Sequence, residues 1–167
     1  MVEPGTPVVV RFFPAIVDLV LAASTLVLVV AIALATGVNS PWDGAIQLGL
    51  FLGVLLFFRR RWPMVVLLLS IAAVFVYHFA AGSPAGWIWP ASVAYFTAAA
   101  GPRVRWVIAI GVAQLVYSAI EAGWIINSNL SRYLIHTIGE GLLLCALIAV
   151  GLAYAASLRW HRRPSPS

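Results

Sequence analysis

Five ionisable side chains stand inside otherwise apolar runs of this chain: Asp18, His78, Glu121, His136 and Glu140. A charged group in hydrocarbon costs about 2.5–3.5 kcal/mol even on the mildest scale, so each such residue is a functional candidate by default. His136 and Glu140 are four residues apart and share one helix face. Gln114, Tyr117, Glu121 and Trp124 form a second stripe at helical spacing, and the connection from Asn127 to Arg132 folds it back toward the first. With His78, they make a candidate cluster of His78, Glu121, His136 and Glu140, on three helices and in roughly the outer third of the layer. Imidazole beside carboxylate titrates near neutrality, which suits ligand or proton sensing. The same groups suit Zn, Ni or Mn, but no recognised ligand spacing is present, so neither metal nor cofactor is expected. The competing role is structural: polar side chains in a bundle hydrogen-bond neighbouring helices, and His78 taken singly fits that role. Asp18 stands apart. It can pair with Arg11, seven residues and two turns earlier, or with an arginine of an inner loop.

Composition sets the medium these residues work in. The 167 residues are 63% hydrophobic and 9% charged, with mean hydropathy +1.02. A soluble domain of this size has too little interior to hide so much apolar surface. The expected class is an all-α polytopic membrane protein with a single membrane domain over residues 1–158 and a short basic, Pro/Ser-rich cytoplasmic tail over 159–167. The formal charge of +5 then belongs to helix ends facing anionic headgroups, and the partner it implies is the lipid bilayer, with no nucleic acid. The lone Cys145 excludes an internal disulfide and reads as a small buried hydrophobe. There is no P-loop, Gly-x-Ser-x-Gly, His-Glu-x-x-His or paired cysteine, and a lipid-directed enzyme built on Glu121, His136 and Glu140 would need a nucleophile that no motif positions. The chain is therefore expected not to be an enzyme.

A spanning helix needs about 20 apolar residues. Hydropathy places helices at about 12–36, 42–58, 62–81, 85–101, 104–126 and 133–158. The second is short and the fourth is both short and interrupted by Pro90. Arginine placement decides between spanning and failing to span. All ten basic residues are arginine. Arg11, Arg59, Arg60, Arg61, Arg103, Arg105, Arg159, Arg162 and Arg163 all fall where an alternating six-helix thread puts the cytoplasm; Arg132 alone falls outside. Loss of either doubtful helix would break that pattern. The expectation is thus a six-transmembrane-helix bundle with both termini cytoplasmic. Turns fall at Asn39-Ser40-Pro41, Gly82-Ser83-Pro84 and Gly101-Pro102, and the seven tryptophans lie near helix ends as interfacial anchors. Gly49-x-x-x-Gly53 permits close helix approach, within the bundle or between copies.

Phe57-Phe58-Arg59-Arg60-Arg61-Trp62-Pro63, opening an apolar helix after a short second span, resembles the membrane domain of actinobacterial sensor histidine kinases. Asp18 early in the first helix and Gly101-Pro102-Arg103-Val104-Arg105 between the fourth and fifth are similar to the same family's layout. The resemblance covers nearly the whole chain. It implies a non-catalytic sensor module of the bacterial plasma membrane, working as a homodimer and relaying an envelope signal through its sixth helix to a cytoplasmic kinase or response-regulator system encoded separately. In that family the sixth helix leads into a phosphoacceptor and an ATP-binding region; here Pro164-Ser165-Pro166-Ser167 follows, and His161 on the basic stub is not matched to the phosphoacceptor. The alternative function is a small transport or solute-binding component, which calls for Trp87, Trp89 and Pro90 to line a cavity with Glu121 and Glu140.

Overall fold

The computed structural model describes residues 8–35, 44–81, 87–125 and 130–161. Among these, six α-helices run α1 (Val8–Ala35), α2 (Ala45–Phe58), α3 (Pro63–Ala81), α4 (Ser92–Ala99), α5 (Val104–Ile125) and α6 (Leu130–His161), with a 3-10 turn at Trp89–Ala91 leading into α4. The expected boundaries agree within a few residues except at the fourth helix. There the chain bends at Trp87 and Ile88 and turns through Trp89–Ala91 before it becomes α-helical. Pro90 accounts for this: it has no N–H to donate to a preceding turn, so it interrupts a helix in its interior but fits without loss where one begins. At the other end of the chain, α6 continues through Arg159 to His161, so the basic stub begins as helix. The turns at 39–41 and 82–84, together with Trp42, Arg162, Arg163 and the Pro/Ser tail, lie outside the described residues.

Burial along α1 recurs with the helical period: Asp18, Ala22, Leu26 and Val29 face the bundle. The opposite face is just as apolar yet exposed, with Leu19 at 61% and Val27 at 67%. Such a face has no favourable surroundings in water and fits hydrocarbon. The same pattern holds on α3, α5 and α6, which are the three described helices long and apolar enough to cross a membrane.

Two side-chain clusters hold the helices together. One is built around α4 and its entry (Ile88, Ala91, Ala94, Tyr95, Ala98, Ala99), with Leu55 of α2, Val66 and Leu67 of α3, Val107 of α5 and Leu144 of α6 packed around it. No residue from Trp87 to Ala99 is exposed. The element with the weakest hydropathy signal is therefore the centre of the molecule. Its alanines bring neighbouring backbones close: a Cβ on Gly151 of α6 would stand 2.8 Å from both Ala99 Cβ and the Phe96 carbonyl. The second cluster joins Val29, Ala45, Leu48, Leu52, Val74, Tyr77 and Trp87. Gly49 and Gly53 serve within the bundle: a Cβ on Gly49 would meet Leu26 Cα at 3.2 Å, and one on Gly53 would meet Ala22 Cβ at 3.5 Å.

Candidate functional site

Trp87 is the hub of the site. Its sequence position near a helix end suggests an interfacial anchor, and Trp62, Trp106, Trp124 and Trp160 are all well exposed at helix ends, as that role requires. Trp87 is instead 3% exposed. Because it lies in the bend before α4, its backbone groups are not served by a regular helical ladder, and side chains from two other helices take them. The Trp87 N–H donates to Glu140 Oε1 of α6 at 2.5 Å. Its carbonyl accepts from Gln114 Nε2 of α5 at 2.7 Å. The indole Nε1–H donates to Glu121 Oε2 of α5. Non-helical backbone inside an apolar layer is tolerated only where such partners are supplied, and here they are.

Three residues of the predicted cluster, His78, Glu121 and Glu140, contact this tryptophan, and His136 joins them through Glu140. The His78 ring stacks on the indole with centroids 4.0 Å apart, while its Nδ1 lies 3.0 Å from the Val74 carbonyl of its own helix. Phe75 and Tyr117 close the other sides of the indole at 4.5 and 5.0 Å. Glu140 also accepts the Ser118 hydroxyl at Oε2, 2.5 Å away. His136 Nε2 lies 4.0 Å from Glu140 Oε1 and 3.4 Å from Ser118 Oγ. Tyr95 donates its hydroxyl to Gln114 Oε1 at 2.5 Å. The cluster is less open than expected: His78 and Glu140 are buried, and only Glu121 and His136 are half-exposed.

Chemically, this is a graded path from a half-exposed imidazole, through a serine hydroxyl, to a buried carboxylate. Its geometry differs from a nucleophilic triad, in which the acid holds the ring nitrogen remote from the serine. Here serine and acid approach the same Nε2, and the serine proton points to the acid. No group of three or more His, Cys, Asp or Glu with metal-holding geometry occurs among the described residues. Ser118 and Tyr95 are the site residues that spacing did not bring forward. Ser118 lies one turn from Gln114 on α5, and a small hydroxyl in an apolar helix is the sequence feature that marks it, one that the stripe of larger polar residues passed over.

Asp18 is buried and holds a second constellation. Arg59 donates to its Oδ1 through Nη2 at 2.6 Å and Nε at 3.1 Å, and Arg60 Nε lies 2.9 Å from Oδ2. Of the two expected partners, the loop arginines are the ones found on Asp18; the Arg11 side chain lies outside the described residues. Arg61 sits over the Trp62 ring, 5.7 Å from its centroid. Cys145 is exposed, not buried as expected, on the outward face of α6. No protein-family model, no curated protein and no solved structure matches this chain.

Proposed function

We propose that this chain is a multi-pass protein of the bacterial plasma membrane with six spans and both ends cytoplasmic, acting as a non-catalytic, sensor-like module. The observation that carries this is the placement of Glu140 and His136 on α6. That helix takes part in the cluster near one end and runs unbroken to the arginine-bearing end, about 32 Å from Glu140 to His161 at ~1.5 Å per residue. A change in proton or ligand occupancy at the cluster alters what α6 grips, and a rigid helix carries the shift across the layer. By the resemblance noted above, the receiver is a cytoplasmic kinase or response-regulator system, and the module works as a homodimer.

The packing of Trp87 favours sensing over transport. A transport component calls for a cavity shared by Trp87, Trp89, Pro90, Glu121 and Glu140. Trp87 is instead enclosed by rings, and Trp89 and Pro90 line a cavity of only about 120 Å³ against Ser24, Thr25 and Leu28 of α1.

Spin labels at Leu19 and Leu158, both exposed, read the position of α6 against α1. The titratable groups near the cluster are His78, Glu121, His136 and Glu140, with the phenols Tyr95 and Tyr117 and, at the head of α6, Arg132. Between neutral and mildly acidic pH the wild-type distance distribution should shift, and Glu140→Gln should hold it in one population. Identical distributions in both proteins at both pH values would sink the sensor reading.

A further inference from the structure

His136 Nε2 lies 3.4 Å from Ser118 Oγ and 4.0 Å from Glu140 Oε1. Ser118 donates its hydroxyl to Glu140 Oε2 at 2.5 Å. The route from ring to carboxylate through the hydroxyl is thus one long step and one short one, while the direct gap lies beyond hydrogen-bond reach. A count of protons fixes the rest. A serine hydroxyl has a single proton, and with Glu140 ionised that proton is committed to Oε2. Ser118 Oγ can then only accept from the ring, so Nε2 must carry hydrogen. In the neutral ring Nδ1 is the remaining acceptor, and nothing among the described residues holds it. The His136 side chain is 30% exposed and that of Glu140 only 8%. One nitrogen is open, and the other faces a hydroxyl already bonded to the buried acid.

We infer that Ser118 is a proton relay that loads Glu140 from His136. Nδ1 takes a proton from water, and the ring becomes imidazolium. The Nε2–H bond then breaks as a new O–H bond forms at Ser118, while the original Ser118 O–H bond breaks as one forms at Glu140 Oε2. Ring and serine both end neutral, the ring as its Nδ1–H tautomer, and the carboxylate holds the proton. Every hydrogen bond along the route has reversed: Glu140 donates to Ser118, and Ser118 to Nε2. Oε1 still accepts the Trp87 N–H, but as part of a neutral acid, and hydrogen bonds to ionised groups are roughly twice as strong as neutral ones. Loading therefore loosens the hold of α6 on the bend before α4. The other titratable groups around the route are His78 of α3, Tyr95 of α4, Tyr117 and Glu121 of α5, and Arg132 and Tyr133 at the head of α6. Glu121, which accepts the indole N–H, is the rival acceptor. The inference deepens the sensor reading and rests on it for its purpose, but loading is measured separately from any movement of α6.

The test follows the infrared carbonyl stretch of a protonated carboxyl after a caged acid releases protons, with the full chain in nanodiscs. Each protein is jumped to the pH that half-develops its own band, so that a change in proton affinity is not read as a change in rate. The wild-type band should rise on acidification, and Glu140→Gln should abolish it. Ser118→Ala should slow the rise by about a hundredfold, the lower end of what a positioned proton-transfer group supplies. Ser118→Thr keeps the hydroxyl and should recover most of the rate. His136→Ala should be as slow as Ser118→Ala, and imidazole in the buffer should restore it. Wild-type rates in Ser118→Ala or His136→Ala would overturn the relay, as would a Ser118→Thr protein as slow as Ser118→Ala. A slow His136→Ala protein that imidazole leaves unchanged would overturn the ring as the proton source. A band that survives Glu140→Gln and is lost in Glu121→Gln would overturn Glu140 as the acceptor. Normal loading beside an unmoved distance between α1 and α6 would sink the sensor reading alone and leave the relay standing.

Discussion

The Trp87 N–H lies ahead of the first turn of α4, and Glu140 accepts it together with the Ser118 hydroxyl. A buried donor left unpaired costs about 1–3 kcal/mol, although membrane bundles recover part of that through alternative partners. Glu140→Gln keeps one accepting oxygen and turns an amide toward the other donor. It should lower unfolding stability in detergent by about 1–2 kcal/mol. Gln114→Leu strips both the Trp87 carbonyl and the Tyr95 hydroxyl of their partner and should cost at least as much. Losses under ~0.3 kcal/mol in both would show that the bend before α4 does not depend on these clamps. Asp18→Asn leaves two arginines facing a neutral amide, one of them buried. The expected loss is about 3 kcal/mol, against under ~1 for Arg60→Gln, whose side chain is half in solvent; equal losses would contradict the division of roles between the two arginines. Spacing alone brought His78, Glu121, His136 and Glu140 forward, because helical periodicity and a short connection suffice to align two stripes. The hub stayed hidden, since a tryptophan near a helix end is ordinarily an anchor. The partner of Asp18 stayed open for a similar reason: Arg11 at two turns and Arg59 beyond a helix satisfy the same charge, and only packing separates them.

At the scale of elements, α4 has the poorest hydropathy signal and the deepest burial, and one cause serves both. A helix surrounded by protein need not be long or uniformly apolar, and small side chains let its neighbours come close. Its alanines and the glycine facing it on α6 are consequently sensitive positions. Gly151→Ala places a Cβ 2.8 Å from the Phe96 carbonyl, a backbone atom that cannot swing aside. Overpacking of this kind costs about 1–3 kcal/mol. Gly139→Ala, on the same helix with nothing within 4 Å of the new Cβ, should be neutral or gain up to ~1 kcal/mol from helix propensity. Thermal unfolding of the pair checks this: if Gly151→Ala matches Gly139→Ala, α4 and α6 are looser than their packing implies. The long helices were legible from hydropathy within a few residues. The entry to α4 was not, because a proline inside an apolar run marks a kink or a start equally well until the partners of the neighbouring N–H are known.

At the scale of the whole molecule, the question is whether α4 joins opposite faces of the layer. Its eight residues give only about 12 Å of helix, and the 3-10 turn adds roughly 6 Å, short of the ~30 Å hydrocarbon core. Its contacts nevertheless lie at both ends of the bundle. Trp87 touches His78, Glu121 and Glu140, near the end of α3, the end of α5 and the start of α6. Ala100 shares a cavity with Arg59 and Arg60, after the end of α2, and with Tyr154, toward the end of α6. A short, enclosed segment can make that passage because protein, not lipid, surrounds it. α6 supplies the ruler: Arg132 and Arg159 stand about 40 Å apart along it, the ~40–45 Å of a bilayer with its headgroups. On that scale, and in the orientation proposed above, Arg132, the one arginine against the charge rule, is expected in the outer headgroup layer. Single cysteines at exposed helix ends, placed in a Cys145→Ser background that keeps every arginine, test the arrangement in cells. Trp124→Cys and Leu130→Cys should react with an impermeant maleimide in intact cells, whereas Trp62→Cys and Trp106→Cys should react only after permeabilisation. Labelling of Trp106→Cys from outside would mean that α4 turns back without crossing. The charges of Arg103 and Arg105 would then stand on the wrong side of the membrane, and the six-span thread would be untenable.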